Sequence, residues 1–473
     1  MQQNEASAVG GERFSWRRRD HTQGSLLVSL LVLSLPSIGT SLAGVTAYQL
    51  IDLKFLSLLG AVPLAAVIVT NQSLRQVAFL LVLGTSLGAQ AIIARCIGQG
   101  RIEQAEHVAA QVLLLGGVFC IIYALVGGLF PRELLGFVAK DPAVLEAGVP
   151  YVRLSFMLMF GFILVPLSGS ILNGAGDTTT PMLITIIATP VSIFAEWCLI
   201  FGHLGAPALG VRGVALGAMF GSLVGVTLAG WVLLSGRTRI HLRPRHLIPD
   251  PRAIAELLRI SWQPALQLLG RTLVIVYFLR LAGRFGIEVQ AAYGIGIRLE
   301  MVVVLIAFPI ANGCATLVGQ NLGAGNRRRA WQSVGVAMGV NIVVCWLSTG
   351  IFFLFREQLM GVFADDPKVI ALGTEYLLYV SGTLLLVGPY FVAFRALQAA
   401  EDMTAPMLIA NGSALLVALP LGHYLTSETS LGPTGIWISI LAYTAVNTLV
   451  TVGWLATGRW TRRHRPAPLY AES

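Results

Sequence analysis

Charge is what this chain has least of. Asp, Glu, Lys and Arg together make up 12% of its 473 residues, against about 25% in an ordinary soluble domain. So few charges argue against a solvated globular enzyme. Cysteine is sparse and scattered: Cys96, Cys120, Cys198, Cys314 and Cys345 include no CxxC pair, which argues against a disulfide framework or a thiolate cluster. The seven histidines (His21, His107, His203, His241, His246, His423 and His464) show neither HExxH nor clustered spacing. No metal site and no cofactor are expected from them. The net charge of +9 is not a nucleic-acid footprint, because the basic residues mostly sit in the short connections between apolar runs.

What the chain does have is apolar length. Hydrophobic residues reach 55% and the mean hydropathy is +0.76. Runs of about 20 or more apolar residues recur, enough to cross a hydrocarbon core roughly 30 Å thick. Arg17-Arg18-Arg19 followed by Leu26–Leu35 resembles a secretory leader, but the apolar stretch runs on past leader length with no cleavage site, so it reads as the first span. The runs number about twelve, and the sequence is written twice. Gly88–Ala105 lies on Gly313–Ala330 after a shift of 313 − 88 = 225 positions. The same shift carries Asp141-Pro142 onto Asp366-Pro367, Tyr151 onto Tyr376, Asp177 onto Asp402 and Pro181–Ile184 onto Pro406–Ile409. An even number of spans per copy makes the repeats parallel, and a duplicated helical bundle is a common plan of secondary transporters.

The expected organisation is an all-α polytopic membrane protein. It divides into an N-terminal segment (1–25), a first lobe (26–235), a charged Pro-bearing linker (236–256), a second lobe (257–457) and a tail (458–473). Arginines crowd the N-terminal segment (Arg13, Arg17, Arg18, Arg19), the linker and the tail (Arg459, Arg462, Arg463, Arg465). By the positive-inside rule both termini are expected in the cytoplasm, with the chain multi-pass in the cell inner membrane. The glycines of Gly98-Gln-Gly100 and Gly323-Ala-Gly325 read as helix C-caps rather than phosphate loops.

Ordered landmarks give a specific resemblance. Asp52 with Gly60, the Gly88–Ala105 turn, Asp141-Pro142 with Tyr151, Asn173-Gly-Ala-Gly-Asp177 with Pro181, and Gly210-Val-Arg-Gly213 together resemble the MATE family of multidrug and toxic compound extrusion transporters. The match runs from about Leu26 to Thr457 and recurs in the second copy. The resemblance implies two six-helix lobes in a V-shaped fold. It also implies export of bulky, often cationic or amphiphilic small molecules in exchange for protons or sodium, by a monomer surrounded by lipid, with no nucleic-acid partner and no enzymatic step.

Ionisable residues inside spans cost about 2.5–3.5 kcal/mol on insertion scales, so each is a functional candidate. In the first copy these are Asp52, Lys54, Arg75 and Glu196; in the second, Arg271, Arg298, Glu300 and Arg395. Tyr48 and Gln49 share a helix face with Asp52, and Thr185, Thr189, Ser192 and Glu196 form a polar stripe on the fifth span. Pro36 and Pro190 are candidate bending points. Asp52 and Glu196 fall on the first-helix aspartate and fifth-helix acid of the DinF-like branch, which implies that they are the ion-coupling pair. The alternative is that Asp52 pairs with Lys54 or caps the span. Ser192 and Ala218 replace two oxygen-bearing positions of the family, which favours protons over sodium. The NorM-like branch carries acids in its seventh and tenth spans; here the seventh offers Arg271 and no acid, and the tenth has none around Ser381–Phe394. Arg75 and Glu300 are repeat counterparts and a candidate inter-lobe pair; local satisfaction of each is the other reading. Phe194, Trp197, Tyr293 and Phe308 read as packing residues that also suit a cation-accepting cleft. Two rival functions are a lipid-linked precursor flippase and a membrane-embedded transferase.

Overall fold

The computed structural model describes residues 20–461, and among them every regular element is a helix. The basic N-terminal cluster at Arg13 and Arg17–Arg19, the tail residues Arg462, Arg463 and Arg465, and the cytoplasmic placement of the two termini lie outside the described residues. Among the described residues ten helices are long and apolar enough to cross a membrane, or eleven when Pro142–Met157 and Phe160–Ala175, bent by 41°, count as one span. The first span is shorter and interrupted. Helix α1 (Leu26–Gly39) passes into a π-helical stretch, Thr40–Ala47, and resumes as α2 (Tyr48–Leu58). With that broken span the plan reaches the twelve segments expected.

The interruption has a local cause. Pro36 lies inside α1 and supplies no amide hydrogen. The Thr40 hydroxyl donates to the Pro36 carbonyl at 3.0 Å and the Ser41 hydroxyl to that of Ser37 at 3.1 Å. Hydroxyls that bond back to the preceding turn compete with the amide ladder and loosen it. A second π stretch, Thr70–Arg75, joins α3 (Ala61–Val69) to α4 (Gln76–Gly98).

Helix boundaries repeat at the sequence shift. Helices α5 (Ile102–Leu129) and α13 (Arg327–Leu354) begin and end 225 residues apart, since 327 − 102 and 354 − 129 agree. Asp141 and Asp366 cap the following helices alike, each carboxylate accepting an amide two residues on at 2.8 Å. The tight turns match too. Gly100 and Gly325 take left-handed φ of 73° and 75°. Arg101 N donates to Cys96 O at 3.0 Å and Asn326 N to Asn321 O at 2.8 Å. That is the helix-terminating pattern that favours glycine.

Between these landmarks run α6 (Pro131–Val138), α7 (Pro142–Met157), α8 (Phe160–Ala175), α9 (Thr179–Phe201), α10 (Val211–Leu234), α11 (Pro251–Ala282) and α12 (Ile287–Gly323). After α13 come α14 (Arg356–Gly361), α15 (Pro367–Ala399), α16 (Thr404–Ser413), a π turn at Ala414–Ala418, α17 (Leu419–Ser427) and α18 (Thr434–Ala456). The chain divides into two compact units. One holds Leu35–Trp262 with residues 20–23; the other holds residues from Gln263 onward with Gly24–Ser34. The division falls inside α11.

In the first unit Leu56, Val67, Tyr151, Ile200, Val214 and Ala215 form a buried apolar cluster. Large apolar side chains such as Ile121, Leu125 and Leu129 on α5 are exposed, as a lipid-facing surface requires. The α9–α10 contact is built on glycine. A Cβ at Gly213 would stand 2.6 Å from Leu199 O, at Gly217 2.4 Å from Glu196 Cγ, and at Gly221 2.7 Å from Ala188 O. This four-residue stripe lets two backbones approach as small residues do in membrane bundles.

Candidate functional site

Two polar clusters in the first unit stand on α2, α9 and the π stretch Thr70–Arg75. The first joins α2 to α9. Tyr48 Oη donates to Glu196 Oε1 at 2.5 Å. Glu196 is completely buried, and its Oε2 has no hydrogen-bond partner among the described residues. One turn after Tyr48, Asp52 turns a buried and unpartnered Oδ1 inward. The two carboxylates lie within electrostatic reach of each other.

The second cluster holds the nearby cation. Asn71 Oδ1 accepts from Arg75 Nη1 and from Tyr151 Oη, each at 3.0 Å. The Arg75 guanidinium also covers the Phe162 ring at 4.4 Å, a favourable cation–π geometry. From there its charge reaches both Asp52 and Glu196.

The remaining sequence candidates divide. Ser192 is buried beside Gly221, and Thr189 is half-buried on the same helix. Gln49 and Lys54 are exposed, and no ion pair joins Lys54 to Asp52 among the described residues. Pro36 precedes the π stretch, whereas α9 continues unbroken through Pro190. Arg75 is held by Asn71 within its own unit. Glu300 lies in the other, where Arg271 is within electrostatic reach.

Sequence reasoning missed Asn71 and the glycine stripe. Asn71 was legible as the residue one turn before Arg75, and the stripe as Gly213, Gly217, Gly221 and Gly225 at four-residue spacing. No group of three or more His, Cys, Asp or Glu able to hold a metal occurs among the described residues.

Two buried acid oxygens without hydrogen-bond partners among the described residues, one on an interrupted helix and one on a continuous helix, stand inside a duplicated helical bundle, the plan of many membrane transporters. Known proteins agree with the fold. The MatE family model matches residues 36–198 and 265–423. The chain is 25% identical to a probable multidrug resistance protein NorM of Thermotoga maritima over 92% of its length and 93% of the relative. It is also 25% identical to a FAD transporter of Shewanella oneidensis, over 85% of its length and 89% of that protein. An outward-facing multidrug resistance MATE family transporter of the MOP superfamily superposes with a TM-score of 0.85 at 21% identity, covering 93% of this chain and 97% of that one. The chain therefore belongs to the MatE family: it is a multi-pass membrane transporter, not an enzyme.

Proposed function

We propose that this protein exports drug-like small molecules, many of them cationic or amphiphilic, across the bacterial inner membrane with its termini in the cytoplasm. Export is driven by exchange for protons bound at Asp52 and Glu196. The observation that carries this reading is the pair of buried carboxylates with unpartnered oxygens, one of them steadied by Tyr48. Two desolvated carboxylates in mutual reach penalise the doubly ionised state, and a bound cation relieves both burial and repulsion.

The donor set favours the proton. Sodium, a hard cation, is best held by several converging oxygens. Here Tyr48 occupies one carboxylate oxygen, and Ala218 offers none. The multidrug name of the Thermotoga relative supports drug-like cargo. Coupling further requires that ion and cargo bind unequally to the two access states.

Efflux of ethidium from energised right-side-out vesicles tests this, with a sodium-free arm and a Glu196→Gln variant. Proton-driven efflux that persists without sodium and vanishes in the variant is expected. Unchanged gradient-driven efflux by Glu196→Gln would remove the site assignment, and loss of efflux only in the sodium-free arm would reassign the ion.

A further inference from the structure

Among the described residues the second unit has no buried acid pair, yet it keeps a cation where cations are costly. Arg271 lies on the apolar α11, half-buried, in a span where an arginine costs about 2.5–3.5 kcal/mol on insertion scales. Among the described residues its guanidinium makes no hydrogen bond and no ion pair. Its field reaches Glu300, Tyr390 and Tyr443, and it stands 5.8 Å from the centroid of the Phe391 ring.

Arg395 of the same unit shows what a structural arginine looks like here. It is fully buried and donates to Gln398 Oε1 at 2.7 Å; Gln398 donates in turn to Gln267 at 3.1 Å, and Gln267 to Tyr390 Oη at 3.3 Å. That chain ends on Tyr390, and Arg271, within electrostatic reach of this phenol, contacts the Phe391 ring but has no hydrogen-bond partner among the described residues.

The surroundings of Arg271 have a definite chemistry. Two phenol hydroxyls and a guanidinium offer donors to an oxyanion, and arginine's planar fork suits a carboxylate or phosphate. Next to them lies an aromatic platform. Tyr390, Phe391, Phe394 and Phe308 form a connected ring cluster with centroid separations from 5.1 Å for Tyr390–Phe394 to 6.4 Å for Phe308–Phe394.

We infer that the second bundle carries a cargo subsite of its own, in which Arg271, Tyr390 and Tyr443 receive the carboxylate of an aromatic molecule whose rings lie against the half-buried Tyr390 and Phe308, themselves backed by the buried Phe391 and Phe394. Cargo of this protein thus includes aromatic zwitterions and anions as well as simple cations. Glu300 is the internal competitor for Arg271. The inference rests on the reading of the chain as an exporter of small organic molecules, but its test does not need an ion gradient.

The test is equilibrium binding to the purified full-length protein in detergent, read by dye fluorescence anisotropy. The probes are rhodamine B, which has a free carboxylate, and its methyl ester, which keeps the rings and the delocalised cation. Arg271→Gln is expected to weaken the acid about tenfold or more, the loss of a charge-assisted contact, and to leave the ester within about twofold. Arg271→Lys, which keeps the charge without the fork, retains part of the preference. Glu300→Gln tightens the acid by removing the competitor. Equal weakening of both dyes by Arg271→Gln, no change in either, or no binding of the acid by the unaltered chain would each overturn the subsite. Gradient-driven efflux by Glu196→Gln would sink the coupling site and leave this binding split untouched.

Discussion

The two halves share one plan and divide the polar work differently. A shift of 225 places Asp52 on Tyr277, Glu196 on Leu421 and Asn71 on Gly296. Tyr277 Oη simply donates to the Leu419 carbonyl at 3.0 Å. In the first half Tyr151 reaches Asn71 and, through it, Arg75; in the second, Tyr376 packs against the bare backbone of Gly296, where a Cβ would stand 2.0 Å from its ring. The last helix of each half differs as well. Gly213 matches Gly435, since a Cβ at either would strike a carbonyl of the preceding helix, Leu199 or Leu425. Beyond it, at the shift of 435 − 213 = 222 that this pair sets, Gly217, Gly221 and Gly225 correspond to Ser439, Tyr443 and Asn447. Duplication therefore preserved caps, tight turns and the length of α5 and α13, and divergence acted on interior positions and on where helices break: α7–α8 is bent where α15 is continuous. In one half two acids lie within electrostatic reach of each other beside a close-packed glycine stripe; in the other an arginine lies beside a cluster of rings.

The sharpest way to break this comparison is to neutralise one half and then its counterpart. Glu196→Gln, and separately Asp52→Asn, should reduce ion-driven efflux to background. Tyr277→Phe, at the position matching Asp52, should cost about 1 kcal/mol of stability for one lost neutral hydrogen bond and leave coupling intact. Thermal melts beside vesicle efflux separate the two outcomes. Equal loss of efflux would erase the division of labour.

Next in size is Gly217→Leu. The added side chain must displace Glu196, so an overpacking cost of about 1–3 kcal/mol or more is expected together with lost transport. Ser439→Ala, its counterpart, removes only a hydroxyl bonded to Gly435 O at 2.7 Å and should be mild in both assays. Tyr48→Phe leaves Glu196 Oε1 without its donor, and a bond to a charged group contributes about 1.5–3 kcal/mol. The pH dependence of efflux should shift, with the protein still folded.

The caps should give the smallest and most symmetric effect. Asp141→Ala and Asp366→Ala are each expected to lower stability by about 1 kcal/mol, and a large inequality between them would show that the halves differ in stability as well as in chemistry.

One further contrast is pH-dependent. In the first half Glu106 and Gln111 of α5 hold the linker, through His241 N at 2.9 Å and the His246 and Ile248 carbonyls at 3.1 and 2.9 Å. Burial lowers the His246 pKa below the usual imidazole value, against the pull of Glu106. The unfolded linker then binds more protons than the folded one, so this contribution is complete above the ordinary imidazole range and is lost as pH falls through it. At the corresponding place in the second half, Trp331 meets Trp460 at 4.9 Å, a contact with nothing to titrate. Hydrogen exchange between about pH 7 and pH 5 should loosen the linker and spare the Trp331–Trp460 contact.

Much of the architecture was legible in the residues. Hydropathy marked the spans, the 225-residue shift marked the repeat, and Asp-Pro and Gly-x-Gly marked caps and turns, because each is a local consequence of side-chain and backbone chemistry. The acids were legible too, since a carboxylate in an apolar run is conspicuous. Gln49 shows the limit of such reading: it shares a helical face with Asp52 by spacing, yet it is exposed. Pro190 is another case, since a proline alone did not break its helix.

The sequence by itself determined that this chain enters a membrane as two related helical bundles and which few charges it takes there. The energetic cost of burying charge and the periodicity of helices are written residue by residue. Only the tertiary structure decided the partners: Tyr48 with Glu196, Asn71 with both Arg75 and Tyr151, and Arg271 with the Phe391 ring. Most of those meetings join helices far apart along the chain, as Tyr48 and Glu196 do at 148 residues. Backbone approach allowed by glycine and the turn of a broken helix set them, and no local pattern encodes either.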